Sequence, residues 1–148
     1  MNTHPRRAAA WLGAAWLGTA CTLATASDCG HTLDARQRQV LAGRQHTLVF
    51  VPQPAPLASG RHFGLDIVVC PKAGAGAPAA LRVDADMPAH GHGMNYRPTV
   101  RVMGAPGEGQ SRYRAEGLLL HMPGRWRLHF ELSVDGRIER LSHDLDLR

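Results

Sequence analysis

The sequence predicts an all-β protein, an antiparallel β-sandwich of about seven short strands. Three observations point there. Apolar and polar residues alternate with period two through Leu81, Val83, Ala85 and Met87, and again through Trp126, Leu128, Phe130, Leu132 and Val134. That is the pattern of strands with one buried face. Turn residues separate the apolar runs, notably Pro52, Pro54 and Pro56, Gly104 to Gly107, and Asp135-Gly136. No strand pattern alternates with a helical one, so a parallel α/β sheet is not expected.

The first 26 residues read as a secretory signal peptide. Arg6 and Arg7 open it, Ala8 to Ala20 carries no charge, and Ala24-Thr25-Ala26 offers small residues for cleavage after Ala26. Such a chain is expected in the periplasm, with no membrane insertion after cleavage. An uncleaved anchor is the alternative, because the uncharged run from Ala8 to Ser27 approaches the roughly 20 residues that span a bilayer. A lipoprotein reading through Cys21 is weaker, since Gly18 stands where a branched residue is usual.

Residues 27–44 read as an N-terminal arm, with Leu33 to Ala42 forming a short helix or an irregular segment. Cys29 and Cys70 remain once the leader is gone. An oxidising compartment turns such a pair into a disulfide. It would tie the arm to a central strand, closing a loop of about 40 residues for roughly 3–4 kcal/mol. No C-x-x-C or C-x-x-C-H spacing occurs, which argues against a redox pair and against covalent haem.

Residues 45–148 then form the sandwich. His46 to Val51 is a strand stopped by Pro52, and Arg61 to Cys70 a second, ended by Pro71. Lys72 to Pro78 is a flexible turn. Leu81 to Met87, Tyr96 to Met103 and Ser111 to Leu120 follow. Arg125 to Val134 and Arg137 to Leu147 pair through Asp135-Gly136, a two-residue hairpin turn in which glycine tolerates positive φ.

Composition excludes several functions. At 44% hydrophobic and 20% charged, the chain is an ordinary globular one, of a length that suits one domain. Aromatics are only 5%, and the 17 Lys and Arg are scattered, so no nucleic-acid partner is expected. No Ser-His-Asp arrangement shows an activating motif, and an enzyme is not expected. Asp84 and Asp86 beside a His-rich loop are the weak alternative, because nearness in sequence is not geometry.

The nine His are the unusual count. Two of them fall in Met87-Pro88-Ala89-His90-Gly91-His92-Gly93-Met94, where four of eight residues are His or Met. In an extended backbone His90, His92 and Met94 share one side, and the glycines leave room for bends. Imidazole suits copper, zinc and nickel, while a thioether selects Cu(I). The mixture points to copper. No acid lies between Asp86 and Glu108, which argues against calcium and magnesium. Met87 either supports the set or packs in the core.

A second concentration is His121-Met122-Pro123-Gly124-Arg125-Trp126. His121 and Met122 point to opposite faces if extended, so one of them is expected to join the site. Trp126 reads as a core anchor. His46, His62, His129 and His143 stand singly in strand patterns and read as surface or partly buried residues.

These residues resemble a known family. Met87 to Met94, then Tyr113-Arg-Ala-Glu-Gly-Leu118, then His121-Met-Pro-Gly-Arg-Trp126, resemble the YtkA-like, FixH-related exported domain over roughly residues 60–135. The resemblance implies an immunoglobulin-like sandwich outside the cytoplasmic membrane. It also implies copper handling, since some members are implicated in it during cytochrome oxidase assembly. It carries over His90, His92 and Met94 as copper ligands, with Met87 in support. The functional expectation is a periplasmic, Cu(I)-preferring protein that passes copper to an envelope partner. The alternative is a non-metal sandwich that docks such a partner.

Overall fold

A computed structural model describes Met1, residues 29–104 and residues 109–148. The predicted leader beyond Met1, its cleavage site and the Ala105-Pro106-Gly107 turn lie outside the described residues. Within them the chain forms nine strands and no α-helix. These are β1 (Gln39–Ala42), β2 (His46–Gln53), β3 (His62–Pro71), β4 (Ala80–Met87), β5 (His92–Gly93), β6 (Thr99–Val102), β7 (Ser111–Leu119), β8 (Gly124–Val134) and β9 (Arg137–Leu147). They make two antiparallel sheets, β1-β2-β3-β7-β6 and β5-β4-β8-β9. The fold is a β-sandwich.

Alternation sets which sheet faces meet. On β4, Leu81, Val83, Ala85 and Met87 are buried while Arg82 and Asp84 are exposed. On β8, Trp126, Leu128, Phe130, Leu132 and Val134 point inward. They meet Leu48, Phe50, Leu65, Ile67, Tyr113 and Ala115 of the other sheet. The rings of Phe50 and Phe130 touch across the layers with centroids 5.1 Å apart. The β8–β9 hairpin turns through Asp135 (φ 47°) and Gly136 (φ 74°), with Val134 paired to Arg137. Positive φ at both positions suits the twist of the flanking strands.

β2 and β3 are buried on both faces, which is why their sequences are continuously apolar rather than alternating. The N-terminal arm covers their outer face. Cys29 packs with Val49 and Val68 and is bonded to Cys70, with Cα atoms 5.9 Å apart. Gly30 lies so close to Val49 that an added Cβ would stand 2.8 Å from the Val49 Cβ.

Some elements differ from expectation by more than a residue at one end. Residues 39–42 form strand β1 rather than a helix, because their backbone completes the edge of β2. β2 continues through Pro52, which pairs with Leu65. The β1 ladder stops at Phe50, so Pro52 lies where β2 is itself an edge, and proline is tolerated there. The sixth strand is only Thr99–Val102. β5 is an added two-residue strand inside the His-rich segment.

His46 also departs from its reading as a surface or partly buried residue. It is fully buried, at 0% exposure. Its Nε2 lies 2.9 Å from the Gly76 carbonyl and its Nδ1 lies 2.7 Å from Glu139 Oε2. A carbonyl only accepts, so Nε2 carries a hydrogen. Burial pushes the Glu139 carboxyl up. Hydrogen bonds from the Gln45 amide, His46 and the Arg44 amide outweigh that effect and hold it below the ordinary carboxylate value. The contact ties β2 to β9 and to the loop after β3.

Candidate metal centre

The His-rich segment is a tight turn between β4 and β5. The His90 and Gly91 amides both donate to the Met87 carbonyl, each at 3.0 Å. Gly91 closes the turn at φ 65°, a conformation glycine takes without strain. His92 then pairs with Met87, Gly93 with Asp86, and the Met94 amide donates to the Ala85 carbonyl at 3.0 Å. His90 is therefore a turn residue rather than part of an extended strand. The turn still brings its ring to 5.7 Å from that of His92, centroid to centroid.

The second concentration meets the first. β7 ends at Leu119, and residues 120–123 cross from one sheet to the other before β8 begins. The Trp126 indole donates to the Met122 carbonyl at 2.9 Å and fixes that crossing. The His121 ring stacks on His92, with centroids 5.6 Å apart and planes 29° apart. It also stands edge-on to Trp126 at 5.3 Å. The rings of His90, His92 and His121 thus form a row, with Trp126 beneath its inner end.

The methionines of the two segments pack inward. Met87 is 1% exposed and belongs to the core. Its Cε would stand 2.9 Å from a Cβ on Gly124, so the missing side chain at Gly124 makes its berth. Met94 and Met122 are half-buried and pack against the same core. His90 and His92 are exposed, and His121 is half-buried.

One atom stands out. His121 Nδ1 is buried and has no hydrogen-bond partner among the described residues. A buried unsatisfied donor or acceptor costs about 1–3 kcal/mol, and such a group calls for an ion, a water or another explanation.

The nearby carboxylates are engaged elsewhere. Asp86 Oδ1 lies 2.9 Å from His129 Nε2 on the outer face of the sheet. Arg127 donates to both oxygens of Asp144, at 2.6 and 3.0 Å, and this holds the Asp144 carboxyl below its ordinary value. Asp84 accepts from the Ala85 amide at 2.8 Å. The imidazoles and thioethers remain as donors for a soft or borderline metal.

Among the described residues no three His, Cys, Asp or Glu side chains already stand in positions to hold a metal ion together. Pairs are a different matter. A metal lies about 2 Å from an imidazole nitrogen, so two rings sharing one ion have centroids roughly 5–6 Å apart. His90–His92 and His92–His121 both meet that spacing, at 5.7 and 5.6 Å. Binding by all three requires rotation of the exposed His90 and His92 side chains.

Two features of this end of the sandwich were not legible in the sequence. One is the Asp86–His129 contact, which is diagonal across β4 and β8. The other is which of His121 and Met122 meets the loop. His121 does, through its ring contact with His92. The chain matches no family model, no curated protein and no solved structure.

Proposed function

We propose that this protein binds copper in the periplasm and hands it to an envelope partner. His90, His92 and His121 supply imidazole nitrogens, and the half-buried Met94 and Met122 are the candidate thioethers. The single observation that carries this reading is the buried, unpartnered Nδ1 of His121, on a ring stacked against the exposed His92. A metal would satisfy that nitrogen, and the other rings lie within reach. The thioethers favour Cu(I) over harder ions. Met87 supports the set from the core as packing.

The exposure of His90 and His92 suits transfer by ligand exchange, since an acceptor can displace them one at a time while His121 holds the ion from within. The same reading takes the sandwich as immunoglobulin-like and the chain as YtkA-like, on the resemblance of residues 87–94, 113–118 and 121–126. Some members of that family are implicated in copper handling during cytochrome oxidase assembly, and an assembly partner is the acceptor we assign here. The Cys29–Cys70 disulfide is compatible with an oxidising compartment.

Anaerobic Cu(I) titration against a competing chelator tests the assignment. The wild-type chain takes up copper stoichiometrically, and the variant with both His90→Ala and His92→Ala does not. Undiminished uptake by that variant sinks the site. Uptake weakens as pH falls through the imidazole range, because protons compete for the same nitrogens.

A further inference from the structure

β5 is two residues long and pairs only with Asp86 and Met87 of β4. Among the described residues no strand lies beside the rest of that edge, and β4 meets β8 on its other side. The direction of the exposed backbone follows from the turn. The Met87 carbonyl accepts from His90 and Gly91, and the Ala85 carbonyl accepts from Met94. Residues two apart in a strand point the same way. Leu81 and Val83 therefore also turn their amides and carbonyls to the open side. The next amide along, that of Ala85, is already capped by the Asp84 carboxylate at 2.8 Å.

Beside this edge runs a groove of about 440 Å³, lined by Leu81, Val83, Met94, Tyr96, Arg97 and Val100. Its far wall is β6, the edge of the other sheet. Val100 and Val102 of β6 pair with the buried Ala115 and Tyr113 and so share the inward side. Yet Val102 is 67% exposed. Among the described residues the second sheet has no strand beyond β4 that covers Val102.

We propose that this groove receives an extended segment of a partner protein, added as a strand to β4 at Leu81 and Val83. Such pairing draws affinity from backbone hydrogen bonds and specificity from alternate side chains. The inward residues of the guest are apolar, resting on Leu81, Met94 and Val100. The outward ones are acidic. Arg97 has no ion-pair partner among the described residues, and the Arg82 side chain, though 3.3 Å from Glu131, is 74% exposed. Asp84, the one carboxylate in the groove lining, accepts from the Ala85 amide and keeps its charge, so the lining carries two cations, Arg82 and Arg97, against one anion.

A second copy of the chain fits less well. Two β4 edges pairing antiparallel through Leu81 and Val83 would set Arg82 directly opposite its own copy, and like charges in that position are destabilising. The neighbouring register, centred on Val83, needs the Ala85 carbonyl, which Met94 already holds. The proposal does not depend on metal binding, although the guest would lie against Met94, two residues from His92.

Two capped seven-residue peptides are the probes, one alternating valine with glutamate and the other valine with lysine. Each is titrated into the metal-free chain, with amide hydrogen exchange read by NMR. The glutamate peptide slows exchange at Leu81 and Val83 by about tenfold or more, and the lysine peptide does not. Arg97→Glu, a surface change, weakens the glutamate peptide about threefold and favours the lysine peptide. Perturbation elsewhere, or none, overturns the proposal. So does slow exchange at Leu81 and Val83 without peptide in a species of doubled mass, which would make the occupant a second copy.

Discussion

Replacing His46 by alanine removes a ring that is buried and bonded at both nitrogens. The Gly76 carbonyl then loses its donor and Glu139 loses its buried partner. Breaking a buried pair from one side costs about 3–5 kcal/mol, a large share of the 5–15 kcal/mol that holds a domain of this size. Glu139→Gln is a gentler change. Its amide can donate to Nδ1 while the ring keeps its hydrogen on Nε2 toward Gly76, so the expected loss is about 1–2 kcal/mol. Urea denaturation of the two variants at neutral pH measures both. The slope against denaturant should match wild type, because the surface exposed on unfolding is unchanged. Equal losses, or a His46→Ala loss below about 1 kcal/mol, would refute the reasoning that this contact clamps β2, β9 and the loop between β3 and β4.

Three further outcomes follow from the packing. Replacing both Cys29 and Cys70 by serine should cost about 3–4 kcal/mol by the loop-entropy argument, and heat or denaturant unfolding will show it. Gly124→Ala should destabilise by about 1–3 kcal/mol, because the new methyl meets Met87 Cε and φ there is 125°; thermal melting that is unchanged would contradict that fit. Acidification should reduce the stability of the metal-free chain in two stages. Burial lowers the His143 value below its ordinary 6.5, with Asp144 opposing, so the unfolded chain takes up that proton first and stability falls as pH drops below 6.5. Glu139, also lowered, contributes stability that is present above the ordinary carboxylate value and is lost as pH falls through its folded one. His143→Leu should flatten the first stage in denaturation curves collected from about pH 8 to about pH 5, a window that brackets the ordinary His value of about 6.5.

Much of the fold was legible because period-two alternation is a direct consequence of one buried face. Leu81 to Met87 and Trp126 to Val134 carried it, and Asp135-Gly136 marked the hairpin between β8 and β9. β1 and β5 were not legible. Neither has an alternating pattern, and each exists because its backbone completes the edge of a neighbour. His46 was misread because burial of a histidine depends on a carboxylate 93 residues away, which no local pattern reveals. At the candidate site, the sequence could mark His90 and His92 as neighbours. The stacking of His121 on His92 depends on the crossing between sheets, and the burial of Met87 on the absent side chain of Gly124.

The most direct test of the copper reading watches His121 itself. Anaerobic Cu(I) is added to the ¹⁵N-labelled chain while the histidine ring nitrogens are followed by long-range NMR correlation. His121 Nδ1 and a ring nitrogen of His92 are expected to shift together, saturating at one copper per chain. Copper binding that leaves His121 Nδ1 unmoved, or no binding at all, contradicts it.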